Sequence, residues 1–155
     1  MSPDLRAEIR QARPFSSPEQ EAFLSIGRTW AVLEHSFSEA LKPYGITPTQ
    51  YNVLRILRGA GDSGLCRAEV MERMITMVPD ATRLLDRMEA AGLIERQRSS
   101  EDRRFVTTRI TRRGLELLDQ LDEPVRTLHR QHLGALEPAR LRELISLLAQ
   151  VRDNA

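Results

Sequence analysis

Apolar side chains recur at spacings of three and four residues along several stretches of this chain, and this periodicity constrains the fold more than any other feature. The first stretch follows Ser17-Pro18, where serine suits a helix cap, proline suits the first helical position and Gln20 completes a capping box. Its apolar positions are Phe23, Ile26, Trp30, Leu33, Phe37 and Leu41. They predict an amphipathic helix of about six turns, which Pro43 and Gly45 end.

Three shorter helices are predicted in the middle of the chain. Thr47-Pro48-Thr49-Gln50 repeats the start signal ahead of the first of them. The second is predicted over residues 67–74. The third is predicted over residues 76–91, with Pro79 in its first turn and Gly92 as a left-handed C-terminal cap.

Alternating segments at 93–98 and 104–110 flank a polar turn and predict a two-stranded hairpin, which is marginal alone and must lean on the helices. Thr111 is expected to cap the next helix, and Pro124 to kink or interrupt it. A last helix starts near Pro138. The predicted fold class is mainly α with a small β-hairpin wing, a winged helix-turn-helix with helices at both ends.

The 155 residues fit one domain, residues 1–155. The apolar faces of the terminal helices are too extensive to be buried by so small a centre, so we expect them to pair with each other and with a second copy. Residues 18–42 and 112–155 are therefore assigned as dimerisation helices. Residues 46–111 are assigned as the winged helix-turn-helix lobe.

Basic residues concentrate between Glu95 and Arg113, where seven arginines stand against three acidic residues. The arginines are Arg96, Arg98, Arg103, Arg104, Arg109, Arg112 and Arg113. The net charge of +1 indicates no polyanionic partner for the chain as a whole, yet a local basic stretch is enough to bind phosphates. Lys42 is the only lysine, a bias that suits nucleic acid but that GC-rich codon usage also explains.

Cys66 is the only cysteine, which excludes an intrachain disulfide framework and any multi-cysteine metal site. The start of the chain lacks the apolar core of a signal peptide. The sequence contains no run of about 18 apolar residues and so predicts no membrane span. We therefore expect a cytoplasmic protein with no membrane partner.

Four motifs, in order and at matching spacing, resemble the MarR family of winged helix-turn-helix transcriptional regulators. They are Gly45-Ile-Thr-Pro-Thr-Gln-Tyr-Asn-Val-Leu54, Thr82-Arg-Leu-Leu-Asp-Arg-Met-Glu-Ala-Ala-Gly-Leu-Ile-Glu-Arg96, Asp102-Arg-Arg104, and Ile110-Thr111 with Gly114. The resemblance covers about residues 17–151. It implies a homodimer that binds double-stranded DNA at a pseudo-palindromic, inverted-repeat operator, with repression as the expected action.

The predicted DNA-binding residues fall on two elements. The recognition helix offers Thr76, Asp80, Thr82, Arg83 and Arg87, because the early residues of such a helix face base edges in the major groove. The wing offers Arg98, Asp102, Arg103 and Arg104. The resemblance places Arg104 in the minor groove, where negative potential attracts arginine, and Asp102 is expected to hold an arginine in position. The alternative is that Arg83 and Arg87 are solvated ion-pair partners of Asp80 and Asp86, and that Arg98 and Arg103 are solvated hairpin charges.

Small aromatic effectors are the ligands that the resemblance implies, and Trp30, Phe37 and Tyr51 are the tentative pocket residues. The alternative is that these three are core aromatics. Cys66 is interpreted as a packing residue, with a redox switch as the alternative. His35, His129 and His132 are too scattered to predict a metal site.

Two other classes of function compete with a DNA-binding regulator. One is an effector-sensing or protein-interaction module without DNA binding, against which the wing motif argues. The other is an enzyme, for which the chain offers no phosphate loop, catalytic triad or metal cluster. We therefore expect no catalytic residue, no metal and no cofactor.

Overall fold

The computed structural model describes residues 4–98 and 105–154, which form two compact units, residues 1–39 and 40–155. The predicted fold class is confirmed. The chain is mainly helical, with a small three-stranded antiparallel sheet.

The first unit contains the short helix α1 (Leu5–Glu8) and most of α2 (Pro18–Leu41). The predicted cap is present, because the Ser17 hydroxyl accepts a hydrogen bond from the Gln20 amide at 3.2 Å. The Gln20 side chain accepts from the Ser16 amide at 2.7 Å, so the reciprocal half of the capping box is displaced by one residue.

The second unit begins with a 3-10 turn (Lys42–Tyr44) that Gly45 ends at a φ of 71°. Helix α3 (Pro48–Ala60) follows, and both bonds of its predicted capping box form between Thr47 and Gln50, at 3.2 and 3.0 Å. Its buried side chains are Tyr51, Val53, Leu54 and Leu57. On its other side, Arg58 donates two hydrogen bonds of 3.0 Å to Asp122 of the long helix α6 (Arg112–Leu133).

The next two helices are shorter than predicted. Helix α4 (Arg67–Glu72) stops two residues early, and α5 (Ala81–Ala90) starts at residue 81, so the prediction of a helix from Thr76 was wrong. Proline disfavours helical geometry in the residue before it, here Val78. Asp80, with a non-helical backbone, accepts from the Arg83 amide at 2.9 Å and becomes the cap.

The predicted hairpin is present as β2 (Ile94–Arg98) and β3 (Val106–Ile110), and it follows Gly92, which has the predicted left-handed geometry (φ 71°). The sheet also has a strand that was not predicted, β1 (Leu65–Cys66). The strand order is β1-β3-β2, and the buried Thr108 lies opposite Leu65 on one side and Arg96 on the other.

Helix α6 begins at the predicted cap, Thr111, whose hydroxyl accepts from the Gly114 amide at 3.1 Å and donates to the Gly92 carbonyl at 2.6 Å. The helix is continuous through Pro124, so the predicted interruption was wrong. Buried Leu121 and Val125 flank this proline, and their packing offsets the one backbone bond that proline cannot make. The last helix, α7 (Pro138–Asp153), has no buried residue in the described chain.

Candidate nucleic-acid interface

Helix α5 presents a polar face to solvent because its apolar residues hold the opposite face in the core. Leu85 and Met88 are buried, while Thr82, Arg83, Asp86 and Arg87 are exposed. The four exposed residues include three of the predicted recognition-helix contacts. The other two, Thr76 and Asp80, lie ahead of α5 instead of within it.

The carboxylates around α5 are engaged elsewhere. Asp80 caps the helix. Arg96, from β2, donates to Asp86 at 2.6 Å and to Glu89 at 2.9 Å through its Nε. These bonds hold the pKa of the Glu89 carboxyl below its usual value, chiefly because the ionised form accepts from the Arg96 side chain. The acidic residues of α5 are thus bound to the base of the wing.

Arg83 and Arg87 make no ion pair with any residue in the described ranges, 4–98 and 105–154. The two pairs that were the alternative interpretation, with Asp80 and Asp86, are absent from the structure. No described residue therefore competes with an external acceptor for either guanidinium group. They are four residues apart on α5, one turn of helix, and so lie on one side of it.

Arg67 was not predicted as part of this surface. It is exposed at the start of α4 and donates to the Thr82 hydroxyl at 2.9 Å. This contact places a third guanidinium group beside the exposed polar face of α5. No spacing in the sequence indicates this contact. It joins α4 and α5 across a loop, and the sequence pattern had predicted most of that loop to be helical.

The structure describes the wing at its base, up to residue 98 and from residue 105. Arg98 ends β2, is exposed and lies opposite Val106. Arg109 is tied down instead, because it donates to the Asp62 carbonyl at 2.6 Å and to the Gln97 side chain at 3.2 Å. The predicted contacts Asp102, Arg103 and Arg104 lie outside the described residues.

Cys66 is half-buried in β1 and directly precedes α4, as its predicted place at the edge of that helix requires. Its amide donates to the Glu69 carboxylate at 2.7 Å. That backbone bond is the main reason that the pKa of Glu69 lies below its usual value. The position is one of a capping residue in a strand-to-helix junction.

The three aromatic residues tentatively assigned to an effector pocket differ in exposure. Tyr51 is buried in α3, and burial raises the pKa of its phenol. In the first unit, Trp30 is 49% exposed and Phe37 is partly buried. The second unit has a cavity of about 320 Å³ between the turn after α2, the end of α5 and the start of α6. Its lining residues are Tyr44, Gly45, Ile46, Ala91, Leu93, Arg113, Glu116, Leu117 and Gln120, and so do not include Tyr51.

Among the described residues, no cluster of His, Cys, Asp and Glu is arranged to hold a metal ion. Within the same residues, no helix combines the length and apolar character that crossing a membrane requires.

Comparisons with known proteins place this arrangement among transcriptional regulators. Residues 44–104 match the family model described as MarR family. A solved MarR transcription factor from Planctomyces limnophilus is 38% identical over 88% of this chain and 99% of its own, with a TM-score of 0.68. The HTH-type transcriptional repressor IacR of Pseudomonas putida is 26% identical over 136 residues, which are 88% of this chain and 80% of the relative. A mutant MarR from E. coli, solved in complex with operator DNA, is 27% identical over 81% of this chain and 89% of its own, with a TM-score of 0.73.

Proposed function

The chain belongs to the MarR family of transcriptional regulators, and on this basis we propose that it is a homodimeric repressor that binds an inverted-repeat operator and releases it when a small aromatic effector binds. It is a DNA-binding regulator by family membership. One observation in the structure carries the finer proposal. Arg83 and Arg87 project from the exposed face of α5 without ion-pair partners in the described chain, while the carboxylates of Asp80, Asp86 and Glu89 are engaged by other groups.

The two arginines suit base recognition in the major groove. A guanidinium fork can donate two parallel bonds to the O6 and N7 acceptors of guanine. Arg83 is the third residue of α5 and Arg87 the seventh, and the early residues of a recognition helix are those that reach base edges. We assign base contacts to Arg83 and Arg87. Thr76, Asp80 and Thr82 are proposed to contact DNA beside them.

The wing supplies the second element of the proposal. Arg104 enters the minor groove, Asp102 orients an arginine, and Arg98 and Arg103 approach phosphates. Support comes from the match of Asp102-Arg-Arg104 to the family motif. Further support comes from the exposed position of Arg98, where β2 leaves the sheet. Phosphate contacts of this kind position the protein on DNA, and base contacts specify the sequence.

Homodimerisation is supported by apolar side chains that no residue of the described chain buries. In the first unit, Phe23 is 77% exposed and Trp30 49% exposed. In α7, Ile145 is 64% exposed, and Leu144, Leu147 and Val151 are also exposed. Exposed apolar side chains clustered on one helix, as in each unit, mark an interaction site. A twofold dimer would cover it with the same surface of a second copy.

Repression and release follow from the dimer. Two recognition helices must lie about 34 Å apart, one turn of DNA, to enter successive major grooves. An effector that prefers another spacing lowers operator affinity by its differential binding to the two states. The Pseudomonas putida relative is named a repressor, which supports the same sign here. Trp30, Phe37 and Tyr51 remain the proposed effector contacts.

The test substitutes the arginine that carries the proposal. An operator is first selected from randomised duplexes, and binding is then measured by fluorescence anisotropy on the operator and on a scrambled duplex. Arg83→Ala is expected to lose about 1–3 kcal/mol of discrimination per half-site, with the melting temperature unchanged because the side chain is exposed.

The matched control is Arg13→Ala, which removes an exposed arginine that lies ahead of α2, outside the proposed DNA and dimer surfaces. It is expected to bind the operator as the wild type does. Equal losses on the operator and the scrambled duplex for Arg83→Ala would show that Arg83 contacts phosphate and no base. Operator binding at wild-type strength by Arg83→Ala would remove this arginine from the interface.

A further inference from the structure

The segment that leads into α5 exposes two large apolar side chains. Ile75 is 74% exposed and Met77 98% exposed. Both precede the cap of α5, Asp80, by a few residues. They belong to the segment that enters the helix carrying Arg83 and Arg87.

This segment has a fixed conformation at both ends. The Ile75 amide donates to the Asn52 side chain of α3 at 2.9 Å. At the other end, the Asp80 carboxylate accepts from the Arg83 amide at 2.9 Å. Between them Val78 is partly buried and Pro79 restricts the backbone. Met77 is thus held outward by its anchored neighbours.

Single exposed apolar residues are ordinary on protein surfaces. Two on one short, anchored segment beside a DNA-reading helix point to an apolar group on the DNA. The edge of a base pair in the major groove offers one such group, the C5-methyl of thymine. The exposed residues of α5 itself are Thr82, Arg83, Asp86 and Arg87, together with Ala90, so the large exposed apolar side chains nearest to the start of this helix are those of the preceding segment.

We propose that Met77 recognises a thymine in each operator half-site by packing against its C5-methyl group. The methionine side chain is unbranched and polarisable, which lets it follow the surface of a methyl group without strict geometry. This inference rests on the proposed function, since it requires α5 to enter the major groove. It adds thymine recognition to the guanine recognition assigned to the arginines.

The experiment removes only the methyl group from the DNA. Each thymine of the selected operator is replaced in turn by deoxyuridine, symmetrically in both half-sites, and binding is measured by fluorescence anisotropy. Wild-type protein is expected to lose about fourfold in affinity per buried methyl group at one thymine position. The other substitutions are expected to have little effect.

Three variants complete the test. Met77→Gln, similar in length but polar at its tip, is expected to bind thymine and deoxyuridine operators equally. Met77→Leu keeps an apolar side chain and is expected to retain the preference. Ile9→Gln is the control, because Ile9 is an exposed apolar residue beyond the end of α1, and it is expected to match the wild type.

Two results would overturn the inference while leaving the proposed function intact. One is operator binding that no deoxyuridine substitution weakens, and the other is a thymine preference that persists in Met77→Gln. Failure of the wild type to prefer any selected duplex over scrambled DNA would instead contradict the proposed function, and with it this inference.

Discussion

Gly114 shows how a single residue fixes the junction between the wing and α6. A Cβ atom at this position would overlap the Leu93 carbonyl oxygen and would lie 2.7 Å from Cγ1 of Ile110. The backbone of α6 therefore approaches the sheet more closely than any side chain allows. At this junction the Thr111 hydroxyl bonds to both the Gly114 amide and the Gly92 carbonyl.

We predict that Gly114→Ala destabilises the protein by about 1–3 kcal/mol, the usual cost of forcing extra atoms into a packed site. Gly59→Ala is the matched control, because Gly59 is also helical and a Cβ there meets nothing within 4 Å. It is expected to be neutral or stabilising by up to about 1 kcal/mol, since alanine favours helix. Urea denaturation at one fixed protein concentration measures both, and equal stability of the two variants would contradict the steric argument.

Side-chain roles were predictable from sequence where they depend on local spacing. Thr47 with Gln50, Thr111 with Gly114, and the left-handed Gly92 all follow from neighbours within a few residues. The role of Arg96 was not predictable, because its partners on α5 depend on the register of β2. A charge count places Arg96 in a basic stretch, whereas the structure commits it to two carboxylates.

At the scale of elements, Arg96 joins the base of the wing to the recognition helix. Its side chain is 25% exposed, and its guanidinium group bridges Asp86 and Glu89. The Arg96 amide also donates to Glu89 at 3.0 Å. Helix α5 and strand β2 are therefore held in one relative orientation, and in the proposed complex this orientation would set where the wing meets DNA.

We predict that Arg96→Gln weakens operator binding although Arg96 itself contacts no DNA, because α5 and the wing lose their common orientation. Arg112→Gln is the control, since it removes an arginine whose side chain is 93% exposed and, among the described residues, pairs with Glu116 of the same helix alone. Anisotropy titration on the operator compares the two. A larger loss for Arg112→Gln than for Arg96→Gln would count against the positioning role.

The same bridge has a pH signature. The pKa of Glu89 is lowered in the folded protein, so the link contributes stability above the ordinary glutamate value of 4.5 and loses it as the pH falls through the lowered value. The contribution is small, because Glu89 is 38% exposed and its charge is screened. Thermal melts of the wild type and Arg96→Gln are expected to converge as the pH drops below 4.5.

Element boundaries show where sequence patterns stop being sufficient. The long helices α2, α6 and α7 were predictable because their apolar periodicity persists for many turns. Strand β1 has two residues, too few for any alternation, and exists only because β3 provides a partner. The start of α5 was misplaced because Pro79 and Asp80 each fit either a helical first turn or a capped loop.

At the scale of the whole molecule, α7 has an apolar surface that no described residue buries. The sequence of α7 predicts one apolar side and one polar side, and Ile145 is among its exposed apolar residues. Ser146 and Gln150 lie on the other side of the same helix. The sequence predicted the two sides of α7. It could not show that the apolar side stays exposed within the described chain.

We predict that Ile145→Glu converts a dimer to a monomer and abolishes high-affinity operator binding, because the dimer would bury an unpaired carboxylate. Ser146→Glu introduces the same charge one residue away, on the polar side of α7, and is expected to remain dimeric. Light scattering over a range of protein concentrations measures the mass of each variant. A dimeric Ile145→Glu protein would place the interface elsewhere.

The position of β3 in the middle of the sheet has a mechanical consequence. Its edges are hydrogen-bonded to β2 on one side and to β1 on the other, and β1 runs directly into α4. A force along β3 is therefore resisted by the hydrogen bonds to both neighbouring strands. Through β1 it also acts on α4, so a displacement of β3 is transmitted to the helix that precedes the segment leading into α5.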